Sequence, residues 1–70
     1  MINTYVLVIC DVRHTEEIAS DLRRIMNVQE VYVLSGLYDR LVRLSGASTK
    51  DMEYSYSRIR SIDGIKSTST

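Results

Sequence analysis

Four short runs of β-branched and aromatic residues, separated by two stretches with helical apolar spacing, predict an α+β fold built on a single antiparallel sheet. Two further observations support this reading. The chain has seven Val and seven Ile, so it favours strands, and its 70 residues leave room for one core only. A single domain over residues 1–70 is therefore expected.

The first strand is predicted from Thr4 to Asp11, a continuous apolar run too short for a buried helix. Thr15 then offers an N-cap hydroxyl, and Glu16 and Glu17 place negative charge in the first turn of a helix. Its apolar stripe is Ile18, Ala19, Leu22, Ile25 and Met26, with Arg23 and Arg24 toward the end that prefers positive charge. Val31 to Leu34 and Arg40 to Ser45 read as two strands joined by the short turn Ser35-Gly36-Leu37-Tyr38-Asp39, with Arg40 and Arg43 interrupting the apolar pattern of the second. Ser48 followed by Asp51 has capping-box spacing and starts a second helix with Met52, Tyr56, Ile59 and Ile62 on one stripe. Asp63-Gly64 ends it, because glycine suits the left-handed position after a helix, and Ile65 to Thr70 forms the last strand.

The order β-α-β-β-α-β is the ferredoxin-like arrangement, and right-handed crossovers put both helices on one face of the sheet. The first strand lies centrally in such a sheet, yet it is apolar on both sides: Tyr5, Leu7 and Ile9 form one set, Val6, Val8 and Cys10 the other. Two helices cover one set only. The other set needs a partner surface, since large apolar patches are rare on soluble monomers. Tyr5, Val6, Leu7, Val8, Ile9 and Leu41 are the candidates for a homodimer interface formed through the helix-free face.

Composition narrows the function. Nine basic and nine acidic residues cancel, so no long-range field draws the chain to nucleic acid or to lipid headgroups. No apolar stretch approaches the length needed to span a bilayer, and the first residues lack the basic start of a signal peptide, so a cytoplasmic protein is expected. One cysteine and one histidine cannot build a thiolate or imidazole metal cluster, and no cofactor is expected. Cys10 reads as a small buried hydrophobe, His14 as a solvated loop residue, and Arg23, Arg24, Arg58 and Arg60 as solvated helix faces. Tyr54 and Tyr56 lie on a helix, where the stacking platform of an RNA-recognition sheet does not.

The turn Gly36-Leu37-Tyr38-Asp39 after a Val-rich strand, the segment Ile59-Arg60-Ser61-Ile62-Asp63-Gly64-Ile65, and the alternating Thr68-Ser69-Thr70 together resemble the regulatory, ligand-binding (RAM) domain of the Lrp/AsnC feast/famine transcription regulators. The likeness covers nearly the whole chain. It implies a βαββαβ unit that pairs through its sheets and assembles into larger rings, commonly octamers, with amino acids bound between dimers. Because the first strand begins within a few residues of Met1, the expected form is the stand-alone one, without a helix-turn-helix, sensing an effector or mixing with full-length regulators rather than binding DNA itself.

By this resemblance the ligand-binding residues are Gly36, Tyr38 and Asp39 with Thr68 and Thr70. Their chemistry suits an amino acid: a carboxylate at Asp39 accepts from the ammonium, and hydroxyls with closely approaching backbone serve the polar remainder. The same residues are also what an ordinary hairpin turn and an exposed strand contain. Two other classes share the topology. A small dimeric ferredoxin-like enzyme of monooxygenase or isomerase type needs a wide lined cavity and catalytic polar groups, whereas this chain has no Trp or Phe and one His. An ACT-like amino-acid-binding domain also places ligands at interfaces, and the paired Gly-x-Tyr-Asp and Thr-x-Thr segments favour the Lrp/AsnC reading over it.

Overall fold

A computed structural model describes residues 1–11, 15–34 and 39–70. The elements are β1 (Ile2–Cys10), α1 (Thr15–Arg23), β2 (Val28–Val33), β3 (Arg40–Gly46), α2 (Thr49–Arg60) and β4 (Ile65–Ser69). The strands pair antiparallel in the order β2-β3-β1-β4, the ferredoxin-like sheet expected from the element order.

The register decides which side of β1 meets the helices. Val6 faces Val42 across the β1–β3 ladder, and these join Val8, Cys10, Leu44, Ile18, Leu22, Met52 and Ile59 in one buried cluster. Burial of each such aliphatic side chain is worth about 1.5–3 kcal/mol. Val6 and Val8 are 0% exposed beneath the helices, so these two interface candidates are corrected: the protomer's own core consumes them, and no partner can reach them. Strand alternation sends Tyr5, Leu7 and Ile9 to the opposite face, together with Leu41, the cross-strand neighbour of Leu7.

Local chemistry sets the boundaries. The Ser48 side chain caps α2 by accepting a 3.2 Å hydrogen bond from the Asp51 amide, as its spacing predicted. The helix stops at Arg60, with the Ser61 amide bonded back to Ser57 and Arg58 carbonyls, earlier than the glycine suggested. Gly64 adopts φ +97°, and its carbonyl accepts from the Asp11 amide at 2.7 Å, so glycine's freedom is used to launch β4 rather than to close the helix.

Helix α1 also ends early, at Arg23. Ile25 still packs on the core, but Met26 is 68% exposed, because the chain reverses at Asn27 in a left-handed conformation with φ 75°. A buried clasp holds that turn. Asn27 Nδ2 donates to Ser55 Oγ at 3.0 Å, Ser55 Oγ donates to the Met26 carbonyl at 2.6 Å, and the Ser45 amide donates to the Asn27 carbonyl at 2.9 Å. The clasp lets β2 begin at Val28, three residues before its apolar alternation announced it.

Arg40 starts β3, where the sequence placed the strand's beginning, and is almost fully buried, with Nη1 donating to the Asp39 carbonyl at 3.0 Å and Nη2 4.0 Å from the Glu16 carboxylate. On the other side of β1, β4 is short. Its register runs from Leu7↔Ser69 to Cys10↔Ile65 with an irregularity at Ile9/Cys10, so among the described residues Ile2 to Val6 are laddered to β3 only.

Candidate functional site

Two surfaces carry the chemistry: the helix-free sheet face and the ends of β3 and β4. The sheet face has an apolar row, Leu7 and Leu41, extended by Ile9 and by two exposed aromatics, Tyr5 and Tyr32. Tyr5 lies opposite Arg43, whose Nη2 sits 2.8 Å from Glu30 Oε1. The Tyr32 hydroxyl and Arg43 both bond the Glu30 carboxylate, which holds it below the usual glutamate range, and the same carboxylate raises the Tyr32 phenol and the Arg43 guanidinium. The face is thus apolar and aromatic with one neutralised ion pair, a composition suited to contact with another protein surface.

Asp39 sits at the foot of the β2–β3 connection, half-buried and tied into the sheet. Its Oδ2 accepts from the Cys10 amide at 2.9 Å, its amide donates to the Val8 carbonyl at 2.8 Å, and its carbonyl accepts from the Leu34 amide at 3.0 Å. These bonds fix the carboxylate's position while leaving its other oxygen lone pairs able to accept. The same carboxylate shapes its neighbour: burial first, then the negative charge of Asp39, pushes the Cys10 thiol above its ordinary range. Cys10 is a core residue with a suppressed thiolate. The expected ligand residues Gly36 and Tyr38 lie outside the described residues, as does His14.

Thr68 and Thr70 belong to the other end of the sheet order. Thr68 pairs with Val8, which orients it toward the helices, and its Oγ1 shares a 2.7 Å hydrogen bond with the Tyr56 hydroxyl. It lines an open cleft of about 480 Å³ with Tyr56, Arg60, Ile65, Lys66 and Ser67. The Arg60 guanidinium lies 5.7 Å from the Tyr56 ring centre, a cation–π contact. Thr70 lines a smaller, mainly apolar cavity of about 220 Å³ that includes Thr4, Leu44, Met52 and Glu53.

Within one protomer the predicted ligand residues are not gathered into one place. Asp39 and Thr68 sit on β3's and β4's side of the intervening β1, and Asp39 lines neither cleft. Arg60 and Lys66 were missed by sequence reasoning, although Tyr56 and Arg60 at i and i+4 on one helix signalled a shared face. Among the described residues no group of three His, Cys, Asp or Glu side chains could hold a metal ion, and no helix is long and apolar enough to cross a membrane.

The chain matches the family model of the Lrp/AsnC ligand binding domain over residues 3–70. No curated protein matches it. Among solved structures it is similar to FFRP-DM1, with 27% identity, 99% of this chain and 93% of that one covered, and a TM-score of 0.89. It is similar in the same way to the hypothetical protein PHS023 from Pyrococcus horikoshii, at 27% identity, 99% and 84% coverage and a TM-score of 0.87. E. coli AsnC, at 20% identity and a TM-score of 0.84, shares the fold, with 96% of this chain matched to 46% of that one.

Proposed function

Because this chain belongs to the family of Lrp/AsnC ligand-binding domains, we propose that it is a cytoplasmic, non-catalytic effector-binding module. It dimerises through the helix-free sheet face, its dimers assemble further, to an octamer by the family's habit, and it binds amino acids or related small metabolites at the seams between dimers. Through the same contacts it joins full-length regulators and modulates transcription without touching DNA itself. The observation that carries this reading is the sheet face on which Tyr5, Leu7, Ile9 and Leu41 point away from the helices.

The site reading is supported by the resemblance of the turn and the last strand. In one copy β1 separates Asp39 from the β4 threonines, and Asp39 lines neither of their clefts. A second copy brings the two ends together. The test is a thermal-shift screen of the twenty amino acids on protein whose mass has been measured by light scattering. A dimer or larger assembly, stabilised by at least one amino acid and no longer stabilised in Asp39→Asn, is expected. Ligand at 100 times its dissociation constant adds about 2.7 kcal/mol of stability. A monodisperse monomer indifferent to every amino acid would overturn the proposal.

A further inference from the structure

The cleft beside Thr68 has a distinct charge. Arg60 from the last turn of α2 and Lys66 from the start of β4 both line it, the hydrogen-bonded hydroxyls of Tyr56 and Thr68 belong to it, and no acidic side chain among the described residues is part of its wall. Glu53 lines two neighbouring cavities, that of Thr70 and one on the outer face of α2 shared with Tyr56 and Arg60, but not this cleft. The chain as a whole is neutral, so this is a local concentration of positive charge, not a share of a general field.

Resting on the function proposed above, we infer that the effector is an acidic amino acid whose side-chain carboxylate enters the cleft of Arg60, Lys66 and Thr68. The ammonium and the α-carboxylate of an amino acid are attached to the same carbon. If Asp39 of one copy accepts from the ammonium, the α-carboxylate stays at that end, and the group that reaches a neighbouring copy's Thr68 is the side chain. There it meets two cations and the hydroxyls of Tyr56 and Thr68. A carboxylate gains charge-assisted hydrogen bonds in that setting, whereas an amide of the same shape brings an N–H₂ group toward two cations that have only hydrogens to offer. Arg60 is partly preorganised by its contact with the Tyr56 ring, so less side-chain freedom is lost on binding.

The test uses isosteric pairs. Isothermal titration of the assembled protein with L-glutamate against L-glutamine, and L-aspartate against L-asparagine, is expected to show the acid of one pair bound about tenfold or more tightly than its amide. The preference should shrink as KCl is raised, because the cleft is open to solvent. Arg60→Gln with Lys66→Gln should reduce the ratio to near unity, while Arg60→Lys with Lys66→Arg, which keeps the charge, should retain most of it. Asp39→Asn should weaken all four ligands alike. Equal binding of acids and amides, or a preference that survives the double Gln variant, would overturn this inference and leave the effector-binding function standing. Absence of binding by any amino acid would remove both.

Discussion

Leu7 and Val8 are adjacent in β1, yet glutamate at each should produce opposite outcomes. Val8 is 0% exposed beneath the helices. Val8→Glu forfeits about 1.5–3 kcal/mol of aliphatic burial and adds several kcal/mol for an unpaired charge in the core. A 70-residue domain has about 3.5–10 kcal/mol of stability in total, at about 0.05–0.15 kcal/mol per residue. The variant should therefore be unfolded at 25 °C by circular dichroism. Leu7 is only half-buried in the protomer, on the open face beside Leu41, so Leu7→Glu takes little from the single copy. In a two-fold interface, however, it removes two apolar contacts and buries two carboxylates, each costing several kcal/mol without a partner. At about 1.4 kcal/mol per tenfold, the dissociation constant should rise by a factor of about a thousand or more. Size-exclusion light scattering and circular dichroism on both variants separate the cases. A Leu7→Glu protein that stays folded and associated, or a Val8→Glu protein that folds normally, would refute the assignment of the two faces.

Three further outcomes follow from the core and its clasp. Ser55→Ala strips a buried hydroxyl that bonds both the Met26 carbonyl and the Asn27 amide. It should cost about 1–3 kcal/mol, a drop in Tm of roughly 4–20 °C for a domain this small. Gly64→Ala should also lower Tm, because φ is +97° there and a Cβ would lie 2.9 Å from Ile18 Cδ1. The third concerns Cys10, whose thiol is raised by burial and by Asp39 and should resist iodoacetamide at pH 8 in folded protein. Mass spectrometry should detect modification only after denaturant is added, and rapid labelling of the native protein would contradict its place in the core.

The element order was legible because strand runs and helical stripes are local properties, and the Ser48 cap was legible because its partner Asp51 is three residues away. Which face of β1 the helices choose was not, since Tyr5-Leu7-Ile9 and Val6-Val8-Cys10 are equally apolar and only the packing of α1 and α2 distinguishes them. The ends of α1 and β2 were misplaced for a similar reason. The turn at Asn27 depends on Ser55, 28 positions away, and an asparagine in a left-handed conformation leaves little trace in the local sequence. At the candidate site, Asp39 and Thr68 were named from the resemblance, and one protomer does not bring them together. Arg60 and Lys66 enter the cleft beside Thr68 through the meeting of a helix end with a strand start, a tertiary coincidence that the sequence does not display.

The short reach of β4 gives β1 two different environments along its length. Leu7 and Val8 are paired on both sides, whereas among the described residues Ile2 to Val6 are paired with β3 only. Amide protons in the first stretch should be released only when the whole domain opens. Those in the second that point away from β3 should exchange with deuterium far sooner, so that one strand reports both global and local opening.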